Sequence, residues 1–264
     1  MIDPVLFHLG PLEVRYYGVL FALGFLAGYF ILRKLAPERN IHPDTIDDFL
    51  IWLIPSIVVG ARLFEVLVYE PGYYFANPAK IIAIWEGGLA SHGGLLGGIL
   101  VTWWFCKRRK IHFYDLADLA VIPGALGAAF VRLGNFMNGE IVGRVSNAPW
   151  AMEFSGYEGR RHPSQLYEAA KNLLLFIALW NLRKIKDLPR GFLFWSFIGG
   201  YSVLRFVVEF WKDWPLYYGL TIGQWLSIPL ILLAGGVLWH LWRGREKEKP
   251  KKQERDRKRQ KATP

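Results

Sequence analysis

The chain has 264 residues, enough for one large domain or two small ones; 53% of them are apolar and 16% aromatic. The formal charge of +10 sits mostly in residues 243–264, which hold 11 Lys/Arg and 4 Asp/Glu; the remainder carries only +3 with long uncharged runs, which excludes an ordinary basic soluble protein and fits a membrane protein with a basic tail. A single cysteine, Cys106, excludes an intramolecular disulfide and a cysteine-based zinc cage, and six scattered His without HxxxH or HExxH spacing argue against a metal.

The N-terminal MIDPVLFHLGPLEV carries Asp3 and Glu13 and no basic n-region, so no cleavable signal peptide is expected. Apolar runs long enough to cross ~30 Å of hydrocarbon follow at roughly 14–32, 46–69, 88–106, 115–137, 166–182, 191–211 and 222–242. The expected fold is therefore an all-α integral membrane protein of about seven transmembrane helices. Residues 1–242 form the transmembrane domain and 243–264 a basic, disordered cytoplasmic tail that attracts anionic headgroups. With the N-terminus outside, segments 33–45, 107–114, 183–190 and the tail face the cytoplasm with 3, 4, 4 and 11 Lys/Arg; the opposite face has five, at Lys80, Arg144, Arg160, Arg161 and Lys212. Such a bias orients the chain N-out and C-in. Trp and Tyr near the span ends, among them Tyr69, Tyr73, Trp103, Trp214 and Tyr218, read as interfacial belts.

Ionisable residues in or near spans are costly, at ~2.5–3.5 kcal/mol each at mid-helix, and persist where they face a cavity or a partner. In chain order, VRYYGVLFALGF (14–25) sets Arg15 and Tyr17 at the outer end of the first span, as interfacial anchors or as part of a site. Arg62 and Glu65 have i, i+3 spacing and read equally as a packing pair or a functional one. GGLASHGGLLGG (87–98) places His92 among glycines; the glycines allow tight helix packing, and the imidazole can accept a proton near neutral pH. VRLGNFMNGEIVGR (131–144) turns polar after an uncharged run. On a continuing helix Arg132, Asn135 and Gly139 share a face, and an Arg fork with amides and glycine N–H groups suits an anionic, oxygen-rich ligand. A polar helix end capped by glycines is the plainer alternative. RRHPSQLYE (160–168) offers Ser164 as an N-cap, while His162, Gln165 and Glu168 line a site or organise the helix entry. Arg205 and Glu209 (i, i+4) read as a functional pair near the outer end of the sixth span.

Taken together, RYYG near the start, SHGG at 91–94, RLGNFMNGEIVG from Arg132 to Gly143, HPSQLYE at 162–168 and RFVVEF at 205–210 closely resemble the motifs of the bacterial prolipoprotein diacylglyceryl transferases, in the family's order. Val131 stands where the family has Gly. The resemblance implies seven transmembrane helices with a small extracytoplasmic head in the bacterial cytoplasmic membrane. It also implies transfer of diacylglyceryl from phosphatidylglycerol to the lipobox cysteine of a prolipoprotein signal peptide, making a thioether and releasing glycerol phosphate. Neither a metal, an organic cofactor nor a nucleic acid is implied; the partners are the two substrates and membrane lipids. On this reading Arg132 is the main phosphatidylglycerol contact, and Asn135 and Gly143 shape the headgroup pocket. His92 is the candidate base, a role open also to Tyr17 or a carboxylate, and Arg205, oriented by Glu209, is a second cation for the leaving phosphate or the incoming thiol. Tyr17, Asn138 and Glu140 complete the polar wall. Cys106 is a bystander, because the reacting thiol comes from the substrate. A polytopic transporter with an outward-facing site for an anion or lipid headgroup is the rival reading; it calls for polar residues through the full membrane depth.

Overall fold

Helices form where apolar runs let every backbone donor and acceptor pair internally, the condition for lying in lipid. The long ones in chain order are α1 (Tyr16–Leu35) and α2 (Pro43–Phe64), then, after the short α3 (Pro71–Ala76), α4 (Ser91–Arg109), α5 (Phe113–Met137), α6 (Ser164–Leu182), α7 (Phe192–Val208) and α8 (Ile222–Lys261). The computed structural model describes residues 3–10 and 12–261, without the side chains at 9, 12, 86 and 246–261. The expected lipid-attracting, disordered character of tail 243–264 falls almost wholly on side chains outside the described residues; the backbone is helical to Lys261.

Among the described residues, five segments are long and apolar enough to cross a membrane: Tyr16–Arg39, Pro43–Tyr69, Phe113–Met137, Phe192–Trp211 and Ile222–Arg245. Large apolar side chains on these helices, such as Phe30, Ile51 and Leu232, remain exposed while polar ones are buried, the arrangement of an integral membrane protein. Helices α4 and α6 coincide with the two other expected runs but are less apolar. Glycines dilute α4, and the first turns of α6 hold Gln165, Glu168, Lys171 and Asn172, all buried. Two hairpins add a little antiparallel sheet: β1 (Val5–Leu9) with β2 (Leu12–Arg15), and β3 (Leu216–Tyr217) with β4 (Leu220–Thr221).

The chain divides into two units, one of residues 32–117 and one of residues 1–31 with 118–264. In the 32–117 unit, α2 packs on α4 through glycines. A Cβ on Gly60 would sit 2.5 Å from the Gly93 carbonyl oxygen and 3.1 Å from Gly97 Cα, so only bare backbone permits this approach. Most of the 87–98 glycines thus serve helix packing.

Arg62 overturns the expected Arg62–Glu65 pair. Its guanidinium donates to five carbonyls, those of Lys80, Ile81, Ala83, Gly87 and Gly88, and lies 4.8 Å from the Tyr74 ring centroid. The reason is local: in segment 78–88, with its short 3₁₀ turns, only the Lys80 carbonyl of these five also has a backbone donor among the described residues, the Ala83 N–H, and one buried fork satisfies the others together.

In the other unit, Asp118 is fully buried and accepts the N–H groups of Gly191 and Phe194, each at 2.9 Å. It caps the N-terminus of α7, whose first N–H groups have no partner within the helix. Helix α7 packs between α6 and α8. The same unit gathers the polar side chains described next.

Candidate active site

The site is built in the unit that contains α5, α6 and α7. Helix α5 ends on RLGNFM, which sets Arg132 and Asn135 one turn apart. The chain then leaves helical geometry at Gly139 (φ 67) and Ile141 (φ 56). This brings Glu140 back under the helix end, where its Oε1 accepts from Asn135 Nδ2 at 2.7 Å and Asn138 Nδ2 at 3.4 Å. Asn135 Oδ1 in turn accepts from Arg132 Nη1 at 3.2 Å. Arg132 keeps 23% of its side chain exposed, and among the described residues its Nη2 has no hydrogen-bond partner. Tyr17, at the start of α1, packs against Gly134, where a Cβ would sit 2.7 Å from the ring, within electrostatic reach of Glu140 and Arg132.

Glycine N–H groups do not serve as anion donors here, contrary to the expectation for 131–144. The Gly139 N–H donates to the Phe136 carbonyl at 3.0 Å and the Gly143 N–H to that of His162 at 2.9 Å. Gly143 is sandwiched between backbones: a Cβ would meet the carbonyl oxygens of Trp211 at 2.5 Å and His162 at 2.7 Å. It therefore shapes the pocket by letting the 143–145 strand lie against both chains.

The start of α6 completes the floor. Ser164 is its first residue and not its cap, because Pro163 precedes it; the hydroxyl donates to the Ile141 carbonyl at 2.8 Å. Gln165 Nε2 donates to the Glu140 carbonyl at 2.6 Å. Outside the spans, His162 organises the helix entry. Its Nδ1 lies 3.0 Å from the Tyr167 hydroxyl, which also accepts from Trp150 Nε1 at 2.7 Å. Burial, and then the charge of Arg144, push the His162 imidazole below its ordinary value.

Buried charges link α5, α6 and the end of α7. Glu168 faces Lys212 Nζ at 2.7 Å through Oε1; through Oε2 it faces Lys171 Nζ at 3.0 Å and Arg132 Nε at 3.7 Å. Lys212 also reaches Glu209 Oε2 at 3.4 Å. The expected Arg205–Glu209 ion pair is thus replaced: Glu209 pairs with Lys212, three residues on, where a 3₁₀ turn follows α7. Arg205 stays within electrostatic reach of Tyr201, Glu209 and Glu168. Gly223, opening α8, leaves room for both; a Cβ there would sit 3.1 Å from Arg205 Nη2 and run into the Glu209 carboxylate. Four cations (Arg132, Lys171, Arg205, Lys212) meet three carboxylates (Glu140, Glu168, Glu209), so the cluster has one positive charge in excess. The amide oxygens Asn138 Oδ1 and Gln165 Oε1 are buried acceptors without a donor among the described residues.

The family profile described as prolipoprotein diacylglyceryl transferase matches residues 4–240. The chain belongs to this family. Proteins named phosphatidylglycerol–prolipoprotein diacylglyceryl transferase are similar over most of its length. One from Geobacter sulfurreducens is 43% identical, covering 88% of this chain and 93% of the relative. One from Tolumonas auensis is 43% identical over 89% and 94%; one from Bordetella avium is 41% identical over 94% and 97%.

Of the residues expected at the site, Tyr17, Arg132, Asn135, Asn138, Glu140, Gly143, Arg205 and Glu209 lie in this one unit. Arg15 does not join them; it pairs with exposed Glu13 at 2.7 Å on β2. His92 lies in the 32–117 unit, with Nδ1 2.8 Å from the Tyr69 hydroxyl. Sequence reading missed Lys171, Tyr201 and the internal role of Lys212. Lys171, three residues after Glu168 in an apolar helix, carried the same spacing signal as the pairs that were noticed.

Proposed function

We propose that the chain transfers the diacylglyceryl group of phosphatidylglycerol to the cysteine thiol in the lipobox of a prolipoprotein signal peptide. The substrate sulfur, as thiolate, attacks the glyceryl carbon bonded to the phosphate oxygen. A C–S bond forms, the C–O bond breaks, and glycerol phosphate leaves with the electron pair, while the thiol proton passes to a base. The observation that carries the reading is Arg132, part-exposed and with an unused Nη2, in a cluster with one cation in excess, on a chain whose family relatives bear this activity in their names. A phosphodiester carries the single negative charge that balances the cluster. Fixed cations stabilise charge developing on the leaving phosphate far better in a dry site than in water.

Arg132 takes the phosphate, with Asn135 and Glu140 holding its guanidinium in register. Asn138 and Gln165 offer unpaired acceptors to the hydroxyl groups of the glycerol headgroup. Arg205, Glu209 and Tyr17 complete the polar wall, and Gly143 permits its backbone packing. His92, whose Nδ1 lies 2.8 Å from the Tyr69 hydroxyl, is the proposed proton acceptor. We further infer seven spans, α4 and α6 included, with the N-terminus outside and the tail in the cytoplasm of a bacterial cell, on the charge bias of the loops. Nothing in the architecture favours a transporter.

The test is direct. Purified protein is mixed with phosphatidylglycerol and a lipobox peptide, and the peptide is weighed. A gain of one diacylglyceryl unit is expected, with glycerol phosphate released; an unmodified peptide beside consumed lipid, or solute flux in proteoliposomes without transfer, would overturn the assignment.

A further inference from the structure

Three cations share two oxygens on Glu168, and the division is unequal. Lys212 has Oε1 to itself at 2.7 Å; Oε2 is contested by Lys171 at 3.0 Å and by Arg132 Nε at 3.7 Å. Lys171 is held in place to win that contest. It lies three residues after Glu168 on α6, is 3% exposed, donates to Asn172 Oδ1 at 3.1 Å, and stands 3.8 Å from the Tyr201 ring centroid. A buried carboxylate oxygen left without its lysine draws a nearby guanidinium into a charge-assisted hydrogen bond, which ties the fork down. Glu168, 1% exposed, has no water to compete for it and would do so strongly.

We propose that Lys171 is a positioning residue: by occupying Glu168 Oε2 it keeps the Arg132 guanidinium disengaged and open to the phosphodiester of the lipid donor. The role rests on the transfer reading above and gives Lys171 no contact with substrate. A merely structural Lys171 would neutralise Glu168 without regard to Arg132, so the distinguishing consequence is at Arg132 and not in folding.

Two measurements test this. The first needs no lipid: Arg132 is labelled with phenylglyoxal in the full-length protein, and its modification rate is read by peptide mass mapping. Lys171→Met is expected to slow the labelling as Glu168 captures the fork, and Lys171→Met with Glu168→Gln is expected to restore it. The second is transfer kinetics with phosphatidylglycerol as the varied substrate. Lys171→Met should raise KM by about tenfold or more, the worth of one charged hydrogen bond, and lower kcat in the same variant, because the donor withdrawn also faces the leaving phosphate. The added Glu168→Gln should bring KM back to that of Glu168→Gln alone. If Lys171→Met does not fold, Lys171→Gln removes the charge, keeps an amide donor for Asn172, and carries the same expectations. An unchanged labelling rate overturns the proposal, as does slowed labelling with an unchanged KM, or a raised KM that Glu168→Gln does not correct. If the unaltered protein transfers nothing, the reaction reading fails by itself, and the labelling rates still decide whether Lys171 governs Arg132.

Discussion

Arg62 and Arg132 are both arginines on apolar helices, one in each unit, and their surroundings differ in kind. Arg62 is 6% exposed and gives its N–H groups to five backbone carbonyls, with an aromatic ring against its face. Arg132 makes one amide contact at 3.2 Å and one long ion pair at 3.7 Å, and 23% of its side chain is open. A buried cation whose donors are all used is part of the scaffold. One whose nearest carboxylate is already taken by lysines holds donors in reserve, and a low-dielectric setting makes each reserved donor strong toward an incoming anion. Both sit on segments apolar enough to cross a membrane, so a buried charge by itself does not mark a site; its unspent hydrogen-bonding capacity does.

The sharpest way to break this contrast is at Arg132. Arg132→Ala is expected to lower the transfer rate by about 10²–10³-fold, the scale of losing one preorganised charge-stabilising donor, with thermal unfolding in detergent unchanged. Arg132→Lys, which keeps charge but not the fork, should recover little of that loss. A near-normal rate for Arg132→Ala would erase the distinction between the two arginines.

The converse holds for Arg62. Removing it as Arg62→Met strands four carbonyls, those of Ile81, Ala83, Gly87 and Gly88, and stability should fall by about 3 kcal/mol or more, at the ordinary cost of unsatisfied buried groups. The transfer rate per folded molecule should not change. Loss of rate with intact stability would place Arg62 among the reactive groups instead.

A smaller effect sharpens the comparison at the entry to α6. The His162 pKa is depressed in the fold, first by burial and then by Arg144, so the folded chain holds the ring neutral. As pH falls through the ordinary value of 6.5, the unfolded chain takes up the proton first, and stability is lost on the acid side. His162→Gln should flatten that part of the stability–pH curve and leave the alkaline side alone.

Five of the helices were legible because lipid imposes a length and an apolarity on any crossing segment, and α4 and α6 also sit where the sequence shows apolar runs. The site was legible in part. Arg132, Asn135, Asn138 and Glu140 stand close together in sequence and converge through one helix end, so their grouping needed little more than helical periodicity. Spacing misled where a residue had better partners far along the chain. Arg62 sits three residues before Glu65, yet carbonyls 18 to 26 residues ahead claim it. The glycines of 131–144 offered N–H groups in prospect, but backbone from His162 and Phe136 consumes them.

By itself the sequence determined what each segment can tolerate: which runs are apolar enough for hydrocarbon, which loops concentrate basic charge, and which polar residues are too costly to stand alone among them. Those are one-dimensional properties, set by composition and period. Which cation pairs with which carboxylate was decided only when α5, α6 and the end of α7 came together, because a buried ion pair depends on distances of a few ångströms between side chains that may be dozens of residues apart. The spare donor on Arg132 is a consequence of that competition, and no local stretch of chain contains it.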